Sequence, residues 1–284
     1  MPQPKPSTEP LGVAMLQSSG QLRETGANCD RVEDATRRAA DAGARLLVTS
    51  EMFLTGYAIG DDVHRLAEPA DGPSARRIAA VAAAAGVAVA YGYPELGPSG
   101  EVYNSVRLVG PEGEPLANYR KSHLFGHFER AYFTPGDEPV VQAELHGIRI
   151  GLMICYDVEF PENVRAHALS GTDLLVVPTA QMHPYELVAE TVVPVRAFES
   201  QLYVAYVNRC GTEGEFEFVG LSCLAGPDGV VRARAGRSEE LLVAEADPAF
   251  LRASRTANPY LDDRRPELYT SLARGGATTA TGKD

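Results

Sequence analysis

An α/β fold is the architecture this sequence predicts, and three observations predict it. Short apolar runs rich in branched residues alternate with stretches of helical spacing along the chain. No linker, low-complexity spacer or repeat of solenoid period interrupts that alternation, so a single domain is expected over residues 11–272. At 284 residues and 44% hydrophobic content the chain has enough apolar material for a large soluble core.

The elements follow in order. Residues 1–10, rich in proline and polar groups, read as a loose tail, and residues 11–17 as a first strand. Residues 29–42 carry helical spacing and Gly43 suits the cap; residues 44–49, centred on Leu46, Leu47 and Val48, are then a second buried strand ending in a loop over 50–57. An alanine-rich helix is expected at 74–86 and a strand at 87–93. Strands at 102–109 and 116–120 are joined by the turn Gly110-Pro111-Glu112-Gly113. Residues 121–137 read as a long aromatic and charged loop, a length that usually signals function. A hairpin of 140–145 with 148–154 then leads to Cys155. Pro161 at a first helical position, Glu162 at the positive dipole end and the stop Ser170-Gly171 define a helix over 161–169. Strands at 173–178, 202–208, 220–224, 230–234 and 241–246 follow, with a helix at 184–201 that Pro194 must kink or divide. Prolines at 248, 259 and 266 make 247–272 an extended arm, and 273–284 reads as a disordered tail.

Composition narrows the function. A formal net charge of −12 argues against a nucleic-acid partner, because phosphate binding needs a basic footprint. No apolar run approaches the ~20 residues that span a bilayer, and the segment from Met1 to Pro6 lacks the apolar core of a secretion signal, so no membrane partner and a cytoplasmic location are expected. Cys29, Cys155, Cys210 and Cys223 are too few and scattered for a disulfide framework, and none has zinc-ligand spacing. With no dinucleotide fingerprint, phosphate loop or HExxH motif either, no cofactor is expected.

Three stretches place a reactive side chain at a strand end. Glu51 lies in Ser50-Glu51-Met52-Phe53-Leu54-Thr55-Gly56-Tyr57, Lys121 in Tyr119-Arg120-Lys121-Ser122-His123-Leu124-Phe125-Gly126, and Cys155 in Leu152-Met153-Ile154-Cys155-Tyr156-Asp157-Val158-Glu159-Phe160-Pro161-Glu162. A strand, tight bend and helix N-terminus at Cys155 gather backbone N–H groups, which favours the thiolate. Taken singly, each residue has a plainer reading: a solvated carboxylate, a surface ammonium and a core thiol. His123 and His127 suggest a Cys-His pair, but nothing local supplies the third orienting group.

Together the three motifs, in this order and spacing, resemble the nitrilase (carbon-nitrogen hydrolase) superfamily, over about residues 11–272. The resemblance implies a four-layer α-β-β-α sandwich, a homodimer whose sheets stack across the interface, and often larger assemblies. It makes Cys155 the nucleophile, Glu51 its general base, and Lys121 with the Tyr156 backbone N–H the stabilisers of an oxyanion. Those roles make chemical sense, since a weakly ionised thiol needs a base and attack on an amide carbonyl creates an oxyanion. Glu129 falls where many members carry a second carboxylate, and by that likeness it would position Lys121 or the substrate amide; its alternative is an ion pair with Arg130 or another base.

The run 119–136 and Pro178-Thr179-Ala180-Gln181-Met182 look most like the aliphatic amidase branch, including 5-aminopentanamidase and stereoselective amidases. Relatives that cleave N-carbamoyl amino acids carry arginine near Glu159. The opposite charge here disfavours acidic substrates and suits an amine, unless Glu159 merely bridges to a neighbouring arginine. Tyr57, Phe125, Tyr156 and Met182 are candidate pocket walls by their closeness to the motifs, or simply core. The expected activity is hydrolysis of a small aliphatic, ω-amino included, primary amide through a thioester. Nitrile hydrolysis, N-carbamoyl-amine hydrolysis and a catalytically silent assembly module are the alternatives.

Overall fold

The computed structural model describes residues 9–270. The tail expected at 273–284, all but residues 9 and 10 of that expected at 1–10, and the last two residues of the arm lie outside the described residues.

The first half of the chain runs β1 (Leu11–Gln17), α1 (Thr25–Asp41), β2 (Leu46–Val48), α2 (Val63–Leu66), α3 (Pro73–Ala85), β3 (Ala88–Leu96), β4 (Val102–Val109), β5 (Pro115–Arg120) and α4 (Gly126–Tyr132). The second runs β6 (Val141–Leu145), β7 (Ile148–Leu152), α5 (Pro161–Leu169), β8 (Leu174–Pro178), α6 (Val193–Ser200), β9 (Tyr203–Val207), β10 (Cys210–Glu213), β11 (Phe216–Val219), β12 (Cys223–Ala225), β13 (Val231–Arg234), β14 (Glu240–Ala246) and α7 (Pro248–Ala257). The strands make two six-stranded sheets, ordered β14-β1-β2-β3-β4-β5 and β13-β12-β9-β8-β7-β6, beside the separate hairpin β10-β11. In each large sheet three neighbouring strands run parallel, β1-β2-β3 and β7-β8-β9, and the outer pairings are antiparallel.

Period-two alternation explains the layers. Val13, Leu46, Val48, Ala90 and Val106 of the first sheet meet Ile150, Leu152, Val176 and Ala205 of the second in one apolar cluster. Their neighbours one residue along, Ala14, Leu47 and Val89, point the other way and pack under Val32, Ala35, Ile78 and Ala82 of α1 and α3. On the far side Leu175, Val177 and Val204 pack under Val164, Ala168, Val193 and Ala197 of α5 and α6. Both faces of each sheet are thus covered, which is why the central strands read as continuous apolar runs. The result is the helix-sheet-sheet-helix sandwich that the sequence resemblance implies. Each fully buried branched side chain contributes about 1.5–3 kcal/mol.

Several local expectations are corrected. The presumed loop 121–137 contains α4, a seven-residue helix that the punctuation of Gly126 and Pro135 concealed. The arm begins as α7, because Pro248 sits in the first turn, where no N–H is needed, and Asp247 caps it through the N–H groups of Ala249 and Phe250. Pro194 divides the expected helix rather than kinking it: a π-helical turn over Val188–Val192 leads directly into α6, which holds the proline in its first turn. The hairpin β10-β11 was not anticipated, and the strand expected at 220–224 is displaced to Cys223–Ala225.

Candidate functional site

The parallel strands aim their carboxyl ends at one place, the usual location of a ligand in such sheets. Glu51 follows β2, Lys121 follows β5, Cys155 follows β7 and Gln181 follows β8. Glu51 enters on a turn laid across β3. Gly92 makes this possible, because a Cβ there would stand 2.6 Å from the Met52 nitrogen and 2.7 Å from the Ser50 oxygen. The Glu51 N–H donates to the Thr179 carbonyl at 3.3 Å, tying the ends of the two sheets together.

The three charged residues of the sequence reading meet. Lys121 Nζ lies 2.7 Å from Glu51 Oε1 and 2.6 Å from Glu129 Oε1, with all three side chains fully buried. Asn104 Nδ2 donates to Glu51 Oε1 at 2.7 Å, while Glu51 Oε2 is buried with no hydrogen-bond partner among the described residues. Glu129 also accepts from the Tyr57 hydroxyl at 2.9 Å and the Phe125 N–H at 2.7 Å. Its partner is therefore Lys121, and Arg130 forms no ion pair with it among the described residues.

Cys155 opens a 3₁₀ turn, Cys155–Glu159, rather than ending a strand, and its φ of +46° is a strained value for a residue with a side chain. Its Sγ lies 3.8 Å from Gln181 Oε1. The thiol is not acidified as the sequence suggested. Burial pushes its pKa well above the ordinary range and the charge on Glu51 adds to this, with Lys121 opposing. At rest the sulfur is protonated, and anything it attacks requires a base.

The rest of the cluster shares one scarce proton. Burial lifts the Glu129 carboxyl from its ordinary value to about 7, against the attraction of Lys121 and with the help of Glu51. Burial alone would lower the Lys121 pKa, but Glu129 and Glu51 outweigh it and hold the ammonium above the usual lysine range. Two carboxylates on one ammonium make a site that can store a proton without solvent.

Asp157 joins the cysteine turn to the lysine segment. Its buried carboxylate accepts from the Tyr119 hydroxyl, the Ser122 hydroxyl, the His123 N–H and the Ile154 N–H at 2.9 to 3.2 Å. His123 Nδ1 also meets Asp157 at 2.9 Å and its ring stacks on Phe160, so this histidine is occupied in orientation. Asn104, Asp157 and Gln181 were passed over by sequence reasoning. Asp157 and Gln181 stand inside motifs already quoted, whereas nothing in the strand sequence around Asn104 marks it.

The expected wall residues divide. Tyr57 lies beneath the site, 2% exposed, packed on Phe128, Phe216 and Phe218 with its hydroxyl on Glu129. Phe125 and Tyr156 face each other edge to plane at 5.3 Å and are partly exposed, and Met182 bridges to Phe218. Glu159 is half-buried, which raises its pKa against the pull of Lys121 and Arg196. Arg196 donates at 2.8 Å to the Glu159 backbone oxygen, and among the described residues the carboxylate itself forms no ion pair.

A family model for carbon-nitrogen hydrolases matches residues 12–256. The chain belongs to the carbon-nitrogen hydrolase family. It is 47% identical over 265 residues to a Pseudomonas protegens protein described as a hydrolase in the pqqF 5′ region, covering 93% of this chain and 92% of that one. It is 37% identical over 256 residues to an (R)-stereoselective amidase from a Pseudomonas species, covering 90% and 92%. A solved mutant of the Nesterenkonia sp. AN1 amidase, showing covalent addition of the acetamide moiety of fluoroacetamide at its active-site cysteine, superposes with a TM-score of 0.83 and 34% identity, over 94% of this chain and 98% of that one. This carbon-nitrogen hydrolase is accordingly of the amidase type.

Proposed function

We propose that the protein hydrolyses small aliphatic primary amides, ω-amino amides among them, through a Cys155 thioester. The observation that carries this reading is the buried bridge of Lys121 between Glu51 and Glu129, set beside the buried Cys155 thiol. Glu51 removes the Sγ proton as sulfur attacks the amide carbon, using the Oε2 that has no hydrogen-bond partner among the described residues. Lys121 Nζ and the Tyr156 backbone N–H receive the oxyanion. The carbon–nitrogen bond breaks, the proton held by Glu51 passes to the departing amine, and ammonia leaves. Glu51 then takes a proton from water, the hydroxyl adds to the thioester, and collapse frees the acid and returns the thiol. Glu129 keeps Lys121 charged and in place throughout.

Glu159 supports an amine at the far end of the substrate, being a carboxylate at the end of the cysteine turn with no ion-pair partner among the described residues. The same feature suits the amine of an N-carbamoyl-amine, which is the second reading. Ammonia release is to be measured from propionamide, 5-aminopentanamide, N-carbamoylputrescine and a short nitrile. Both simple amides should be substrates, and Glu159→Gln should lower kcat/KM for 5-aminopentanamide about tenfold while sparing propionamide. No release from any amide would refute the reading and favour a silent assembly module. We also infer a homodimer through the outer face of α5 and α6, where Leu169 and Val195 are 50% and 45% exposed with Tyr260 and Tyr269 alongside.

A further inference from the structure

One buried charge pair takes no part in the chemistry above. Arg209, between β9 and β10, is fully buried and pairs with Glu213 at the end of β10. Taking a guanidinium and a carboxylate out of water carries a desolvation penalty that their attraction barely repays, so the pair is a poor choice if packing were all that was needed.

Its contacts lead to the candidate site. Arg209 Nη1 reaches the Glu51 backbone oxygen at 3.4 Å, and Nη2 donates to the Ser19 oxygen at 2.5 Å and to Glu213 Oε1. The other oxygen, Glu213 Oε2, accepts from the N–H groups of Tyr57 at 2.7 Å and Ala58 at 3.0 Å. The pair therefore holds both ends of the 51–58 turn. The intervening Gly56 has φ +86°, and a Cβ there would lie 3.3 Å from both Glu213 oxygens and 2.6 Å from Leu22 Cδ1, so the turn is shaped around the carboxylate. Beyond it, the Tyr57 hydroxyl holds Glu129, which holds Lys121. The guanidinium also sits 5.6 Å from the Phe218 ring, which packs on Tyr57.

We propose that Arg209 and Glu213 are positioning residues for the general base: they fix the turn from which Glu51 and Tyr57 project, and so set the Glu51-Lys121-Glu129 geometry. This rests on the amidase reading of the site. Glu51 has to be held by its own backbone, because one of its oxygens must stay unbound to accept protons and the other already carries Lys121 and Asn104.

Glu213→Gln tests this with almost no change of volume. An amide must turn its NH₂ either towards the Tyr57 and Ala58 N–H groups or towards Arg209, and each choice sets donor against donor. The assay is steady-state hydrolysis of the amide panel by wild type and variant, with labelling of Cys29, Cys210 and Cys223 by a disulfide reagent as the measure of packing, since all three are buried. The expected result is a kcat lowered about 10- to 100-fold, a KM within about threefold of wild type, and the three thiols still protected. A kcat within about twofold of wild type per folded molecule would overturn the proposal, as would loss of activity only in proportion to exposure of the three thiols. Arg209→Lys, which keeps the charge and loses the fork, is the second variant and should show the same separation of kcat from KM. Wild type inert on the whole panel would remove the amidase reading and this proposal together, whereas active wild type with an unaffected variant removes this proposal alone.

Discussion

At the scale of single residues, burial decides the chemistry. Cys155, Lys121, Glu51 and Glu129 are each at most 7% exposed, so their protonation is set by one another and not by water. Cys155→Ala should reduce ammonia release by about four orders of magnitude or more, with circular dichroism unchanged and stability within about 2 kcal/mol of wild type. Glu129 supplies a pH test. Its folded pKa of about 7 lies above its ordinary value of 4.5, so between those values the folded state binds more protons than the unfolded. Stability therefore falls as pH rises through that window, by up to about 3 kcal/mol. In Glu129→Gln the fall attributable to this group should vanish; melting curves from pH 4 to pH 8 that decline equally in both proteins would refute the assignment.

Elements matter here for what they make room for. Gly92 on β3 carries no chemistry, yet a methyl group there collides with the backbone on both sides of Glu51. Gly92→Ala should cost about 1–3 kcal/mol and lower kcat at least about tenfold, because the turn must rise off the strand; unaltered kinetics would show that the turn can shift harmlessly. The cap of α7 offers the contrasting case. Asp247→Ala loses two N–H contacts far along the chain from the cluster and should cost about 1 kcal/mol, a fall of roughly 2–4 °C in the melting temperature, with kcat and KM unchanged. Two of the helices that sequence reasoning missed, α4 and α7, were hidden by residues with two meanings. Pro248 stops a helix from within but starts one from its first turn, and Gly126 reads as a loop although it opens α4.

For the whole molecule, two stacked sheets bring distant chain segments to one point. Glu51 comes with the first sheet and Cys155 with the second, joined by the Glu51 to Thr179 hydrogen bond between their ends. The apolar outer face of α5 and α6 leads to a test in solution. Leu169→Glu combined with Val195→Glu should convert the inferred dimer to monomer in analytical ultracentrifugation, by burying charge where apolar area is needed; an unchanged sedimentation coefficient would place the interface elsewhere.

Most of the strand and helix order could be read from the chain because branched apolar runs, turn residues and caps act locally, within a few positions of where they stand. The family could be read because the three motifs are local strings as well. The geometry of the ion-pair network, the raised thiol, the service of Asn104, Asp157 and Gln181, and the Arg209-Glu213 anchor could not. Their linking contacts, Asn104 to Glu51, Tyr119 to Asp157, Cys155 to Gln181 and Arg209 to Glu51, join residues 26 to 158 positions apart, and the energies come from burial, which exists only once the sheets have stacked. The sequence by itself determined which reactive groups this protein owns and which strand ends carry them; the tertiary structure alone decided their distances, and so which of them is protonated and which is free to take a proton.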